Sequence, residues 1–572
     1  MEIGTDYKFG EIPYVKPDFD EIQEKVNELT ERLRKAEAFD EVQKVLEDKK
    51  ALEDDFTLMV YMAYIRSYQD CTDEFYQKEV QDVMPQMVML DMSGFNDALI
   101  GSSYGEQIDR TYGAEFLEKI RTDNRLHTNG KELMAKEQEL IAKYQQLKAS
   151  MKISFDGKML SEAELNKYRE SLDRETRKNA TEALYQALLA DKEEYESILN
   201  ELIHTRLAIA KANGFEDYLE YANMDMGRRG YGEKELQAFC DQVKRDLVPF
   251  IAKLKKEQAK RLGVTSLKCY DELVGFADGN PEPAGDDGYL TKAASRMYYD
   301  LSENMGRFFD SMLEHGLLDI KGTPNKIANM GFTVGLSKIK MPFVFGNCNG
   351  TSFDVTVLTH EVGHAYQGYL TMKEQKLNEY MELCNDIVEV PSKTMELFTL
   401  PYAKDFYGKD ADKFQAYFMQ EALEDISGYC KINEFESWMY RNPDAGIEEK
   451  AAEFERIARL YSPWLDNSDF AEYIKEGCML FRNMAIYMFP KYVISYALSE
   501  MCAMQFKVRM EEDKKSTWEA YERLCAAGGS LDYPELLKLA GLSVAYEEGS
   551  VKRSTEYAVK WLEEHIKETK QD

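Results

Sequence analysis

Histidine is scarce in this sequence, with six residues in 572. Paired cysteines are absent as well. The nine cysteines are an odd number, spread from Cys71 to Cys525 with no CxxC pair. That pattern fits reduced thiols better than a disulfide framework or a four-cysteine zinc site. No apolar run approaches the roughly 20 residues that a membrane-spanning helix needs. Basic charge is in deficit: Lys+Arg is 72 against Asp+Glu of 104, a net charge of −32. Such an excess repels phosphate backbones and anionic lipid surfaces, so neither nucleic acid nor membrane is an expected partner. The first twenty residues carry neither a basic nor an apolar targeting segment. The expectation is a soluble, acidic, cytoplasmic protein, and nothing in the sequence specifies its oligomeric state.

What is present is mostly helical pattern. Apolar residues recur at helical spacing over 19–50, 73–99, 105–121, 131–151 and 174–212, the last long enough to bridge two lobes. The stretch 275–289, rich in Gly, Pro and Asp, reads as a linker. Residues 319–349 change texture, with short apolar runs between glycines and prolines, and predict a small antiparallel sheet. Within it Phe343, Val344 and Phe345 form the most strand-like run. From Thr351 onward the chain reads as helix again. The length asks for two lobes, expected over 1–200 and 201–572.

Two of the six histidines fall in His360-Glu361-Val362-Gly363-His364. By composition an HExxH arises by chance in fewer than roughly one such chain in a hundred. Histidines four apart share a helical face and can both ligate one tetrahedral zinc ion, with Glu361 beside them as a base for a zinc-bound water. Thr351 and Asp354 supply a start signal resembling a capping box, which sets the motif well inside a helix. Gly363 weakens a helix by about 1 kcal/mol relative to Ala, which is tolerable where something packs close to the backbone. A third ligand is required. The segment EYMELCNDIVEVPSKTMELFTL offers Glu382, Asp386, Glu389 and Glu396, among which spacing does not choose, and Pro391 marks a kink or a fresh helix start. Tyr492 and Tyr496, one turn apart, suit stabilisation of an oxyanion by their hydroxyls. Gly227–Gly232 reads as a turn rather than a phosphate cradle, with Arg228 and Arg229 as candidates to meet substrate carboxylates.

The runs VLTHEVGHAYQGY and DIVEVPSKTMELF resemble the thimet oligopeptidase and oligoendopeptidase F family of zinc peptidases, in its Pz-peptidase-like branch. The resemblance implies His360, His364 and Glu389 as ligands of one Zn²⁺, Glu361 as general base, and substrate-binding tyrosines at positions such as Tyr492 and Tyr496. It further implies a mainly α, two-lobed helical zincin with a small antiparallel sheet next to the metal helix and a deep channel for short unfolded peptides. The expected activity is zinc-dependent endopeptidase cleavage of oligopeptides. Relatives carry a substrate-binding histidine before the proline that aligns with Pro490, whereas this chain has Ala485, so Tyr487 becomes a candidate replacement donor. Phe343–Phe345 is expected to be an edge strand that binds peptide by main-chain hydrogen bonds. Two alternatives stand beside this reading: a helical HExxH carboxypeptidase or dipeptidase, and a catalytically impaired peptide-binding zincin.

Overall fold

The helix that carries HExxH starts where its cap residues put it. In the computed structural model, which describes residues 7–327 and 330–568, Thr351 is the N-cap and its hydroxyl accepts from the Phe353 amide at 3.3 Å. The Asp354 carboxylate reaches further back than a capping box requires, accepting from the amides of Asn349 (2.8 Å) and Gly350 (2.9 Å). Helical structure then continues over 352–374. Its middle, Val357–Glu361, is π-helical, between α-helical Ser352–Thr356 and Val362–Glu374. π-Bulges of this kind are rare and concentrate at functional sites. Here the wide turn is stabilised from outside: the buried Tyr298 hydroxyl donates to the Leu358 carbonyl, and Thr333 Oγ1 lies 2.8 Å from the Glu361 carbonyl.

The chain forms two contact units, each assembled from separated segments. The first comprises Met1–Asn124, Pro281–Asp412 and Phe506–Leu542, the second Arg125–Asn280, Lys413–Gln505 and Ser543–Asp572. The expected division at residue 200 falls inside the helix Lys192–Ala212, so the units are not the two consecutive stretches read from sequence. The expected 174–212 helix is two helices, Arg174–Ala190 and Lys192–Ala212, and both belong to the second unit. The linker-like 275–289 does contain a boundary, at Asn280/Pro281. The expected 105–121 helix is likewise broken, at Gly113, whose φ of 95° suits glycine.

In the first unit, α1 (Phe39–Gln69) and α2 (Asp287–Leu301) accompany a three-stranded sheet of β1 (Leu318–Asp319), β2 (Phe332–Leu336) and β3 (Met341–Phe345). The order is β1-β3-β2; β2 pairs antiparallel with β3, and β1 pairs parallel with it. Phe343, Val344 and Phe345 therefore sit on the central strand and are fully buried. This corrects the expectation that they form a peptide-binding edge. Their main-chain groups face neighbours on both sides, and an apolar run without alternation is the signature of a strand covered on both faces. The edge beside the HExxH helix is β2.

That helix, α3 (residues 352–374), packs against α4 (Val390–Thr399) and α5 (Lys514–Ala527). Tyr366 of α3 donates to Glu522 Oε1 at 2.5 Å, and Tyr521 of α5 donates to the Pro391 carbonyl at 3.0 Å. Gly363 is what allows α4 to come close. A Cβ there would lie 2.7 Å from Ser392 Cα and 3.0 Å from both Met395 Cβ and Pro391 O. Overpacking of this sort costs about 1–3 kcal/mol, and relief requires α4 to move together with Glu389 before it. Gly363→Ala is therefore expected to lower the melting temperature and to weaken metal binding, read by thermal unfolding and by metal titration of one preparation. If affinity held while stability fell, the close approach would serve packing alone.

In the second unit, Tyr487 is fully buried, stacks on Tyr144 at 4.0 Å between ring centroids, and donates to the Tyr195 carbonyl at 3.2 Å. It is a core residue, which corrects its assignment as a substrate-binding donor: its hydroxyl is already used, away from solvent. Arg228 is similarly only 4% exposed and bonds to protein groups, so it is not a contact for substrate carboxylates. All nine cysteines are free thiols. Among the described residues no helix is long and apolar enough to cross a membrane.

Candidate metal centre

The first unit brings His360, His364 and Glu389 together, with one potential ligand atom from each lying within 4.8 Å of the others. Glu389 Oε2 is 3.3 Å from His360 Nε2 and 3.1 Å from His364 Nε2. A tetrahedron with metal–ligand bonds of about 2.05 Å has edges of about 3.3 Å, so these separations fit a zinc ion bound by two imidazoles and a carboxylate. Glu389 is the residue immediately before α4, and Pro391 occupies the first turn of that helix, a fresh start rather than a kink. Ser392 Oγ lies 2.9 Å from Glu389 Oε2 and fixes the carboxylate from behind.

The other imidazole nitrogen of His360 is held as well. Its Nδ1 is 2.6 Å from Glu396 Oε1, and Lys393 Nζ is 3.3 Å from Glu396 Oε2. A carboxylate on Nδ1 fixes the tautomer that leaves Nε2 free to ligate. The electrostatics point the same way. Burial pushes His360 toward its neutral form, but the carboxylates of Glu389 and Glu396 outweigh it and raise its pKa to about 10. Burial also raises Glu389, yet the two histidines hold it far below the usual carboxylate range. Glu396 is lowered by Lys393 and His360 against the same desolvation. A pocket with two buried carboxylates around an imidazole favours positive charge, which a divalent cation supplies.

Glu361 faces β2, where Thr333 Oγ1 lies 2.9 Å from its Oε2. The base candidate is thus tethered to the edge strand of the sheet while staying outside the three-ligand set. Thr333 and Ser392 were not singled out from sequence. Ser392 stands inside the EVPS run and could have been found there, whereas nothing local marks Thr333. Of the four carboxylates left open by spacing, Glu389 joins the cluster and Glu396 orients His360. Asp386 is fully buried and is not in the three-residue set. Glu396→Gln is expected to reduce zinc affinity by about 10–100-fold, the usual cost of losing a partner that orients a ligand. Competition with a chelator measures this, and an unchanged affinity would mean that α3 alone fixes the ring.

Tyr492 and Tyr496 belong to the second unit and the metal cluster to the first. Tyr492 lies in the turn before the helix Ile494–Glu512 rather than on it, and Tyr496 lies in its first turn. Their rings still meet edge to face at 5.4 Å, and Tyr496 lies 5.4 Å from Tyr429. Ala485 stands second in the short helix Met484–Met488, its amide capped by Asn483.

A family model described as peptidase M3 N-terminal domain matches residues 9–127, and the model of peptidase family M3 matches residues 167–273 and 297–554. A solved structure described as an oligoendopeptidase F is 32% identical, with 97% of this chain and 99% of that chain covered and a TM-score of 0.87. Pz peptidase A, solved with an inhibitor, gives the same identity, coverage and TM-score. An oligoendopeptidase F structure from Bacillus anthracis str. Ames is 31% identical over 97% of this chain and 98% of its own, at a TM-score of 0.82. No curated protein matches the sequence at a significant level.

Proposed function

The chain belongs to peptidase family M3, and from that premise we propose that it is a zinc-dependent endopeptidase that cleaves short unfolded oligopeptides. One observation carries the reading: His360, His364 and Glu389 converge within 4.8 Å, with Glu389 Oε2 3.3 Å and 3.1 Å from the two imidazoles and Glu361 beside the histidines on their helix. These three residues would hold the ion, and Glu396 and Ser392 would orient two of them. A bound Zn²⁺ supplies Lewis acidity, lowering the pKa of water and polarising the scissile carbonyl.

The remaining steps belong to side chains. Glu361 takes a proton from the attacking water and passes it to the leaving amine. Thr333 holds the carboxylate in place for both transfers. For the oxyanion the family resemblance implies tyrosine donors, with Tyr492 and Tyr496 at the matching positions. Peptide main chain would add along β2, the edge strand that bears Thr333, rather than along β3.

The test is hydrolysis of a fluorogenic oligopeptide blocked at both ends, with zinc content measured on the same sample. Cleavage of an internal bond is expected. Release of terminal residues from unblocked peptides only would favour a carboxypeptidase, and no cleavage of either by zinc-loaded protein would leave a peptide-binding zincin.

A further inference from the structure

The π-helical turn Val357–Glu361 carries both His360 and Glu361, while His364 lies beyond it in the α-helical part of α3. Its hydrogen bonds show where the regular ladder is given up. In an α-helix the Leu358 carbonyl accepts from the amide four residues on, that of Val362. Here the Val362 amide donates to the Thr359 carbonyl instead. The Leu358 carbonyl is taken by the hydroxyl of Tyr298, which projects from α2. Tyr298 and Leu358 are both fully buried, so no water stands in for either partner. Within the turn, Thr359 Oγ1 lies 3.1 Å from the Val355 carbonyl and 3.3 Å from that of Thr356, a back-bonding pattern that loosens a regular helix.

A buried carbonyl without a donor is costly, so a helix widens only where another group takes the place of the lost amide. The wide turn also has a geometric consequence. A π-turn closes over one residue more than an α-turn, so side chains in it are rotated against those that follow. The register of 357–361 therefore sets how His360 and Glu361 stand relative to His364. In the observed register both Nε2 atoms reach Glu389 Oε2, at 3.3 and 3.1 Å. Glu361 is turned toward β2, where Thr333 Oγ1 lies 2.8 Å from its carbonyl and 2.9 Å from Oε2. Tyr298, Thr333 and the three potential ligands all belong to the first unit.

We propose that Tyr298 is a positioning residue for the metal centre, a role that rests on the reading of His360, His364 and Glu389 as ligands of one zinc ion. Its hydroxyl holds turn 357–361 in the wide register that sets His360 against His364 and aims Glu361 at β2. Removing the hydroxyl leaves the Leu358 carbonyl without a donor. The nearest relief is for the Val362 amide to return to it, which closes the turn to α-helix and carries His360 and Glu361 round.

Tyr298→Phe in the full chain tests this, read by chelator competition for zinc and by the visible spectrum of the Co²⁺-substituted protein. Zinc affinity is expected to fall about 10–100-fold, as for loss of a group that orients a ligand. The cobalt bands should shift from those of the wild type, because the ligand geometry changes. At saturating zinc, kcat on the blocked peptide should fall about 10-fold or more with KM nearly constant. A hydroxyl that serves packing alone would lower the melting temperature and leave the metal untouched. Wild-type zinc affinity or a wild-type cobalt spectrum would therefore overturn the proposal. A wild-type protein that binds neither zinc nor cobalt would instead remove the ligand reading, a failure recognised without any variant. If Tyr298→Phe does not fold, Thr333→Val removes the other outside donor to the same turn and is judged by the same two measurements.

Discussion

Glu361→Gln is expected to bind zinc like the wild type and to lose turnover by about 10²–10⁴-fold, the range that a positioned general base contributes. The substitution is nearly isosteric, and the amide oxygen can still accept from Thr333, which lies 2.9 Å from Glu361 Oε2. The three potential ligands are untouched, since the close set is His360, His364 and Glu389. What disappears is the carboxylate that would take the proton. Zinc content by elemental analysis and kcat on the blocked peptide decide the matter together. Wild-type kcat at full zinc occupancy would show that another group does the proton transfer. Loss of zinc together with activity would show that Glu361 supports the site rather than acting in it.

The parts of this site that could be read in sequence are those whose logic is local. The i, i+4 spacing of His360 and His364 fixes their common face, and Thr351 and Asp354 mark the helix start, because both depend only on residues within one or two turns. Glu389 was reached by resemblance, since spacing left four carboxylates open. Its place at the head of α4 depends on Pro391 starting a new helix. The π-helical turn at 357–361 has no sequence signal, because it is stabilised by Tyr298 and Thr333, some 60 and 28 residues upstream. Phe343–Phe345 was legible as a strand and misread as an edge. The absence of alternation signals cover on both faces, whereas the central place comes from pairing with both β1 and β2. The burial of Lys491 has no local signal, because its partners come from positions 228, 233, 436 and 437. The two contact units have the same character, since the first joins segments ending at 124, 412 and 542 that composition does not connect.

Glu389→Gln should have the larger effect on the metal itself, exceeding the 10–100-fold expected of Glu396→Gln. Glu389 brings negative charge to two imidazoles, within 3.3 Å of His360 Nε2 and 3.1 Å of His364 Nε2. Its position ahead of the first turn of α4 also favours the ionised form. Glutamine keeps the shape and removes the charge. Its amide group also meets Ser392 Oγ, which now lies 2.9 Å from the carboxylate oxygen, with one fewer acceptor to offer. The two substitutions separate by rescue. A residue that only orients His360 leaves the ligand set intact, so excess zinc should restore much of the activity of Glu396→Gln. A missing ligand is not replaced by mass action, so Glu389→Gln should stay inactive as zinc is raised. The measurement is a pair of zinc titrations read by peptide cleavage. Recovery of both variants at the same zinc concentration would overturn the assignment of Glu389 as the third ligand. It would make the two carboxylates equivalent supports for an ion held chiefly by His360 and His364.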